Sequence, residues 1–537
     1  MRSPFDTNLE ALARRFGHAL VLTDQDSTPA AAVDPALGIP GIGAGGEWLQ
    51  QLVPDPPPDV ICAVGLCRDL SVDALLDAAP ASRVVLLEPN PADARRALER
   101  RPWKDRIDAG QLAVLVGPGY AGLAAVARVM PGIGTAPVLV HPTLSGHPGL
   151  VGRAREALAR LVFQNDANAA ARRALSGRYL VHSLVNAPAL ARESDVARLG
   201  NLFAGRPAVI AAAGPSLDRN LHDVACVLDR AVIIACDTAA WPMHSGGATP
   251  HVIVGVDASE ANARHLSSYP AGKSVLVAEA SLHPTALAPF AGRTFFFRVS
   301  DHEPWPWFAS LGLDRGQLAA WGSVATTALA LALDMGCNPI VFIGADFAFT
   351  DDRPYCRGTA FESTWASWAR NGEGYDAVWK CLIGRWQTTE VTDLAGTPVR
   401  TAPHLLSFRD WIVERAIERT DRVFVNATGA GLLTGGPIRQ GSAVRTLHPT
   451  PAFEPDAIAR ALRTAHAAGL TPNAVSPLLA SATSVVAGAD EALIQRWRTF
   501  ADGTVSRDAI RAALASPEQQ AWALGASAYR RLMEASA

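Results

Sequence analysis

Short apolar runs rich in Val, Ile and Ala alternate along the chain with longer stretches in which Ala, Leu and Arg recur at helical spacing. Such alternation is typical of βα units, in which helices connect parallel strands. It occurs in two separate blocks, with a helical stretch at about residues 150–199 between them. The pattern therefore predicts two α/β units joined by helices.

The first block ends near His141, and its predicted strands are residues 59–64, 83–87, 113–116 and 137–140. Gly65 follows the first of these strands and Glu88 follows the second, as in folds that bind nucleotides or S-adenosylmethionine. Such sites use several glycines so that the backbone can approach the ligand, and this loop has one. We therefore interpret the block as a Rossmann-like domain that works without a cofactor.

The second block has longer and more apolar runs, as expected for strands buried on both faces. The predicted strands are residues 208–213, 231–236, 252–256, 275–278, 294–299 and 340–343, so up to six could share one sheet, and a short seventh is predicted at 423–425. After Pro449 and Pro451 the pattern predicts only helices, at 455–468, 491–501, 507–515 and 518–534.

These elements define the predicted fold class, which is α/β. We expect two Rossmann-like parallel-sheet domains joined by helices, with an all-helical C-terminal domain. The predicted boundaries are 1–145 for the N-terminal Rossmann-like domain, 146–200 for the helical connector, 201–445 for the central domain and 446–537 for the helical C-terminal domain.

Composition narrows the function classes. A chain of 537 residues is long enough for several domains, and its net charge of −3 supplies no bulk field for holding a nucleic acid. The seven cysteines form no CxxC pair, which argues against a disulfide framework or a zinc site. The N-terminus lacks the apolar core of a signal peptide, and the longest apolar stretch, residues 324–333, is shorter than the ~20 residues of a membrane span. We expect a soluble, cytoplasmic protein without a metal site or a membrane span.

The sharpest local motif is the turn at Gly214, Pro215 and Ser216, which follows a predicted strand and opens a helix. Glycine permits close approach of a ligand, proline fits the first helical turn, and a serine hydroxyl with free backbone N–H groups can bind a phosphate. The alternative is an ordinary helix cap in which the serine satisfies the backbone. The motif is neither a dinucleotide-binding GxGxxG nor a Walker loop.

Two carboxylates, Asp237 and Asp257, end the next two predicted strands. Ligands of open α/β sheets bind beyond the carboxyl ends of the strands, so both side chains are placed to meet a ribose, a base or a metal ion. Each could instead cap the following helix. Their equivalent positions beside the Gly214 turn favour a binding site.

Further candidates follow later strands. Ser323 and Thr326 begin an Ala/Leu-rich helix and suit a phosphate or sugar, with helix capping as the alternative. A dense polar cluster comes after the predicted strand 340–343, at the edge where a substrate would bind. It includes Asp346, Asp351, Tyr355 and Arg357, and Asn426 ends the last predicted strand in the same way.

In their order along the chain, these segments resemble the motility-associated factor family of bacterial flagellin glycosyltransferases, whose central domain is similar to sialyltransferases that use CMP-activated sugars. Gly214-Pro215-Ser216-Leu217 matches the nucleotide-holding segment of those enzymes, and Gly344-Ala345-Asp346-Phe347 matches their Gly-x-Asp-Phe segment. Residues 205–220, 233–238, 249–257, 322–346 and 425–428 carry the resemblance, whose domain layout suits most of the chain.

The resemblance implies inverting transfer of a nonulosonic acid of the sialic, pseudaminic or legionaminic type from its CMP donor to Ser or Thr of flagellin. The CMP-sugar would be a substrate, and no cofactor is expected. Gly214, Pro215, Ser216, Asp237, Asp257, Ser323, Thr326, Arg357 and Asn426 would then bind substrate, and Asp346, Asp351 and Tyr355 would be catalytic. The related sialyltransferases place a His base after the Gly-x-Asp-Phe segment, whereas the corresponding loop here contains Asp351, Asp352 and Tyr355 and no His.

Two other functions stay open from the sequence. Archaeal 6-hydroxymethylpterin diphosphokinases resemble the same central block, although they are much shorter and need neither the first block nor the helical tail. A protein that binds flagellin without catalysis would keep the fold and lose the chemistry. The partners expected for the transferase are flagellin and a CMP-activated nonulosonic acid, with no nucleic acid.

Overall fold

The computed structural model describes residues 3–16, 49, 52–68, 71–117, 120, 123–130, 132–144, 146–369, 374–468 and 475–515. The chain forms two compact units, one of residues 1–167 with 417–419 and one of residues 168–416 with 420–537. The four domain boundaries given above stay predictions. The predicted helix at 518–534 lies outside the described residues.

The N-terminal unit is built on a four-stranded parallel sheet in the order β3-β2-β1-β4. Its strands are β1 (Val60–Val64), β2 (Arg83–Glu88), β3 (Leu112–Val116) and β4 (Val138–Val140). Its α-helices include Pro4–Phe16, Ser71–Ala78, Pro91–Arg100, Lys104–Asp108 and Leu123–Val129, and 3₁₀ turns lie at Leu66–Arg68, Ile133–Thr135 and Pro142–Leu144.

Glu88, at the carboxyl end of β2, bonds to the unit's own loops. Its two carboxylate oxygens accept the backbone N–H groups of Cys67 and Asn90, each at 3.1 Å. Burial raises the pKa of Glu88 to about 7. The side chain that would meet a ribose in a nucleotide-binding fold therefore stabilises the loop after β1.

The second unit contains a parallel sheet whose described strands number nine, in the order β15-β14-β11-β6-β7-β8-β9-β10-β5. These are β5 (Ser194–Asp195), β6 (Ala208–Ala211), β7 (Val232–Cys236), β8 (Val252–Gly255), β9 (Val275–Glu279), β10 (Thr294–Phe297), β11 (Ile340–Ile343), β14 (Phe424–Asn426) and β15 (Arg439–Gln440). A separate antiparallel hairpin is formed by β12 (Thr389–Thr392) and β13 (Pro398–Thr401).

Helices cover both faces of this sheet. A 45-residue helix, Pro148–Arg192, precedes it. The shorter described helices are Leu217–Ala225, Asp237–Ser245, Glu260–Ala263, Pro284–Leu287, Trp305–Ser310, Val324–Asp334, Glu362–Ala369, Gly374–Ile383, Pro403–Glu418, Ala443–Leu447, Ala457–Ala468, Val475–Val486, Glu491–Phe500 and Arg507–Ala515. Turns of 3₁₀ helix lie at Val196–Leu199, Ala288–Phe290 and Thr350–Asp352.

Successive residues of each central strand enter different cores, because side chains alternate between the two faces of a sheet. Ile210 and Phe342 pack in one core with the helix Val324–Asp334. Val209 and Val341, their neighbours in sequence, pack in the opposite core. Burial on both faces explains why these strands are almost wholly apolar and why the sequence pattern located them.

The predicted α/β fold class is confirmed, and the sheet is larger than expected. Six strands and a short seventh were predicted, and the structure adds the two-residue strands β5 and β15 at its two edges. Two residues are too few to show a period in the sequence. The hairpin of β12 and β13 was also missed, because β12 is largely exposed and carries polar residues.

The C-terminal helices pack into the central core. Trp497 is fully buried, its indole nitrogen donates to the Glu303 carboxylate at 3.0 Å, and its ring centroid lies 5.1 Å from that of Trp307. Leu180, from the 45-residue helix, belongs to the same core. The region after residue 446 is therefore helical where the structure describes it, and its helices stabilise the central unit.

In the described part of the chain, no single helix is long and apolar enough to cross a membrane. The pair Pro477–Val486 and Glu491–Phe500 meets the length and composition requirement only when taken together, and it is bent by 91°.

If Trp497 contributes to the core of the central unit, Trp497→Ala should lower the free energy of unfolding of that unit by about 3–5 kcal/mol, as expected for loss of a buried tryptophan. Urea denaturation followed by tryptophan fluorescence and by proteolysis of residues 168–416 measures the change. Trp386→Ala is the matched control, because the Trp386 side chain is 52% exposed. Equal stability of the two variants would contradict this packing.

Candidate functional site

The order of strands places the candidate site between β6 and β11. From β6 the chain adds β7, β8, β9 and β10 on one side, and β11 then pairs with the other side of β6. The loops that leave β6 and β11 therefore diverge in opposite directions at the carboxyl edge. Open α/β sheets bind ligands in the crevice at such a switch point.

The two loops meet at Gly214 and Gly344, where no larger residue fits. The Gly214 N–H donates to the Gly344 carbonyl at 2.9 Å. A Cβ atom on Gly214 would lie 2.1 Å from Oδ2 of Asp346, and one on Gly344, whose φ is +64°, would lie 2.2 Å from the carbonyl oxygen of Ala212. Gly214 is thus a site of close approach, as the sequence predicted, but the atoms that approach it belong to the protein.

Ser216 and Asp346 are bonded to each other at this crossing. The Ser216 hydroxyl donates to Oδ2 of Asp346 at 2.6 Å, and the Ser216 backbone N–H donates to Oδ1 at 3.3 Å. Ser216 is fully buried and Asp346 is 2% exposed. Burial raises the pKa of Asp346, and the hydrogen bonds from Ser216 act in the opposite direction.

This geometry corrects the expectation that the Ser216 hydroxyl and free backbone N–H groups are available to a phosphate. Both Ser216 donors are used by Asp346, and the Leu217 N–H donates to the Gly214 carbonyl at 3.0 Å. The turn therefore does not present an open ring of donors to an anion. The partner carboxylate lies 130 residues away in sequence, so no local pattern could reveal it.

The loop after β11 surrounds an open cleft of about 460 Å³, which the β12–β13 hairpin also lines. Asp351 is exposed in this cleft and pairs with Arg219 at 3.3 Å. An exposed pair of this kind stabilises a protein little and can exchange partners readily. Arg353 is buried and pairs with Asp218 at 2.6 Å and with Asp351 at 3.6 Å. The exposed Arg357 uses its backbone N–H to bond Asp218 at 2.9 Å.

Asp237 and Asp257 lie farther along the same edge in different environments. Asp237 is 1% exposed and accepts the Thr238 N–H at 2.7 Å and the Asn262 amide at 2.6 Å. Burial raises the pKa of Asp237 to about 6. Asp257 is exposed and accepts only a local N–H, from Ser259 at 2.7 Å, among the described contacts. Of the two predicted carboxylates, Asp257 is thus the one available to a ligand.

Aromatic side chains border Asp237 and Asp257. The ring of Tyr355 lies 5.5 Å from Phe361 and 6.3 Å from Trp365, measured between centroids. The imidazole of His265 packs edge-on to Phe361 at 4.3 Å, and it is fully buried without a hydrogen-bond partner on either ring nitrogen. Sequence reasoning missed His265, and a lone His in a helical segment carries no signal that could have identified it.

The structure uses Ser323 and Thr326 as helix-capping residues. The Ser323 hydroxyl accepts the Ala325 N–H at 3.3 Å, and the Thr326 hydroxyl donates to the Ser323 carbonyl at 2.6 Å while accepting the Trp321 N–H at 3.0 Å. Thr326 is fully buried. Of the two sequence interpretations, the local contacts are those of a cap.

Asn426 is likewise engaged by its neighbours. Its amide nitrogen donates to the Leu433 carbonyl at 2.9 Å and to the Gln440 side chain at 3.0 Å, and its side-chain oxygen accepts the Thr428 N–H at 3.1 Å. The Thr428 hydroxyl in turn accepts the Ala345 N–H at 3.2 Å. Asn426 therefore supports the loop next to Asp346 from behind.

Eight of the twelve predicted residues form two groups at one sheet edge. Gly214, Pro215, Ser216, Asp346 and Asn426 are packed around the β6–β11 crossing, and Asp237, Asp257 and Tyr355 lie towards β7 and β8. No group of three or more His, Cys, Asp or Glu that could hold a metal ion occurs among the residues that the structure describes. The roles assigned to these side chains stay predictions.

Comparisons with known proteins find a family model and a solved structure that are similar to this chain. A family model described as 6-hydroxymethylpterin diphosphokinase MptE-like matches residues 182–352, which run from the end of the long helix to the loop after β11. The chain is similar over 99% of its length to a solved structure of the MAf glycosyltransferase from Magnetospirillum magneticum AMB-1, with 93% of that chain covered, 15% identity and a TM-score of 0.45. Among curated proteins no match is found.

The buried Asp237 should make stability depend on pH. Its pKa is raised from 3.8 to about 6, so the folded protein keeps a proton that the unfolded chain loses, and stability falls as pH rises through this window. Asp237→Asn removes this pH-dependent loss of stability, because the amide does not ionise. It should raise the free energy of unfolding by about 1–3 kcal/mol near neutral pH, with little gain near pH 4. Urea titrations at both pH values measure it.

Asp257→Asn is the matched control, because Asp257 is exposed at the equivalent position of the next strand. It should change stability little at either pH. A gain for Asp237→Asn that is the same at both pH values would show that the carboxylate is ionised throughout and would contradict the effect of burial.

Proposed function

We propose that the chain is a glycosyltransferase that moves a nonulosonic acid from a CMP-activated donor to Ser or Thr hydroxyls of flagellin, in the cytoplasm. One observation carries the proposal. The Gly214–Leu217 segment, which resembles the nucleotide-holding segment of CMP-dependent sialyltransferases, is in direct contact at the switch point of the sheet with Gly344–Phe347, which resembles their Gly-x-Asp-Phe segment. The switch point of an open α/β sheet is where such folds bind a nucleotide.

We assign the predicted residues to two roles, according to their burial and contacts. Ser216 and Asp346 are buried and bonded to each other, so we assign them the positioning of the two loops. The nucleoside would lie in the crevice over these loops. Asp257 and Asp351, which are exposed, are the predicted carboxylates that could accept a proton from a bound substrate.

The proposed reaction is a single displacement. The acceptor hydroxyl attacks the anomeric carbon of the sugar, the bond from that carbon to the phosphate oxygen of CMP breaks, and the hydroxyl proton passes to a carboxylate at the sheet edge. CMP leaves with the bonding electron pair. Donors fixed by the fold would stabilise the charge that develops on the departing phosphate.

If the Ser216–Asp346 contact holds the nucleotide site, Ser216→Ala and Asp346→Ala should each lower kcat/KM about tenfold or more, because each leaves a buried polar group without its partner. CMP release is measured with purified flagellin and CMP-N-acetylneuraminate. The double variant should lose no more than the worse single variant, since the two side chains act as one pair.

Asp376→Ala, at an exposed helix position, is the control and should keep full activity. Unchanged turnover in both Ser216→Ala and Asp346→Ala would place the site elsewhere. Flagellin binding without binding of CMP would instead favour a non-catalytic flagellin-binding protein.

A second candidate is transfer of a diphosphate group from ATP, as in a 6-hydroxymethylpterin diphosphokinase. The match of residues 182–352 to the family model of that name favours it. The discriminating assay incubates the protein with ATP, magnesium and 6-hydroxymethylpterin and follows AMP. AMP formation that needs the pterin would support the kinase, whereas CMP binding without magnesium supports the transferase.

A further inference from the structure

A second set of polar side chains lies at the carboxyl end of β9, apart from the predicted site residues. There the long helix Pro148–Arg192 contacts the loop at residues 280–283. Asn186 is fully buried, and its amide nitrogen donates to the carbonyls of Ala280 and Leu282, each at 2.8 Å. These two bonds fix the course of the loop and the direction of the Ser281 carbonyl between them.

The fixed loop sets the proton positions of two imidazoles. Nδ1 of His182 lies 3.2 Å from the Ser281 carbonyl, which can only accept, so Nδ1 carries the proton and Nε2 has a free lone pair. Nδ1 of His283 lies 2.9 Å from the Thr285 hydroxyl and accepts the Thr285 N–H at 3.4 Å, and because that N–H can only donate, the proton of His283 is on Nε2. The two rings meet edge to face, with centroids 4.9 Å apart.

Arg178 adds a permanent positive charge beside these rings. It lies one helical turn before His182, on the same face of the helix. Burial, with smaller contributions from His283 and Arg178, lowers the pKa of His182 to about 4, although the hydrogen bond to the Ser281 carbonyl acts in the opposite direction. Burial also lowers the pKa of His283, with Arg178 again contributing, while Glu260 acts in the opposite direction. We call Arg178, His182 and His283 the basic cluster.

The acidic groups nearby do not neutralise the basic cluster. Within the described part of the chain, Arg178 forms no ion pair. Glu279 uses its carboxylate on the N–H and hydroxyl of Ser281. Burial, together with the nearby Asp257 and Glu279, raises the pKa of Tyr179 to about 12, and Glu260 faces His283. Arg178 is therefore the charged member of the basic cluster, it lies beside two imidazoles whose pKa values burial lowers, and its countercharge is incomplete.

We propose that the basic cluster is an oxyanion-binding site that takes the anionic oxygens around the anomeric centre of the donor, either its sugar carboxylate or its phosphate. The inference rests on the proposed function. The oxyanion would accept hydrogen bonds from Nε2 of His283 and from the Arg178 guanidinium. His182 would take up a proton on Nε2 and donate a third, charge-assisted bond.

The position along the sheet suits this role. β9 is the third strand from β6, which at the usual spacing between strands is roughly 14 Å from the crossing of Gly214 and Gly344. A nucleoside over that crossing would direct its phosphate and sugar towards the basic cluster. The anomeric carbon would then lie near the exposed Asp257, at the end of β8 between the two sites.

Isothermal titration calorimetry tests the inference with three ligands: CMP, CMP-N-acetylneuraminate and inorganic phosphate. Arg178→Gln, His182→Gln and His283→Gln should each weaken binding of CMP-N-acetylneuraminate about tenfold, the loss expected for one charge-assisted hydrogen bond. If the bound oxyanion is the phosphate, binding of CMP weakens as well. If it is the carboxylate, CMP binds the variants as it binds the wild type.

Proton uptake separates this role from a merely structural one. Because a bound oxyanion raises the pKa of His182, the wild type should bind the donor more tightly at about pH 6 than at about pH 8 and take up a proton as it does so. His182→Gln should abolish the larger part of that uptake, and Glu260→Gln should strengthen binding. Repeating the titrations in buffers of different ionisation enthalpy measures the uptake.

His302→Gln and Arg445→Gln are the controls, since both side chains are exposed and distant in sequence from the basic cluster. Thermal melting shows whether each variant folds. Wild-type affinities in all three cluster variants would overturn the inference and leave the proposed function intact. Failure of the wild type to bind CMP would overturn the proposed function. In that case, phosphate binding that depends on His182 would still support the oxyanion site. If phosphate does not bind either, the oxyanion site is overturned as well.

Discussion

The central unit depends on one crossing, where the ends of β6 and β11 touch. Gly214 and Gly344 allow the two loops to approach within hydrogen-bond distance, and the pair formed by Ser216 and Asp346 joins them. A side chain at either glycine would collide with the other loop. Because the nucleotide crevice of an open sheet opens where its loops diverge, this contact also decides where a ligand can bind.

Buried carboxylates accumulate along this edge, and each is held by hydrogen bonds from nearby groups. Asp346 is bonded by Ser216, Asp237 by Thr238 and Asn262, and Glu279 by Ser281. Burial raises the pKa of all three carboxyl groups, so the folded state gives up stability to keep them there. Such a cost is tolerated where a site needs fixed polar groups.

The long helix and the C-terminal helices extend the edge beyond the sheet itself. Asn186 bonds the loop after β9, and His182 bonds the same loop one turn earlier in the helix. Trp497 and Trp307 pack in the core that contains this part of the helix. The segments outside the sheet thus determine the positions of the side chains in the basic cluster.

The sequence alone determined the α/β class, the long helix and most strands, because strands buried on both faces must be apolar and helices keep a 3.6-residue period. It also indicated Gly214, Asp237 and Asp346, since glycine turns and carboxylates after strands are local patterns. Only the tertiary structure decided that the Ser216 hydroxyl faces Asp346, that Thr326 and Asn426 support their own loops, and that two histidines 101 residues apart share one loop with Asn186. Hydrogen bonds between distant segments depend on the packing of the sheet, which no local period encodes.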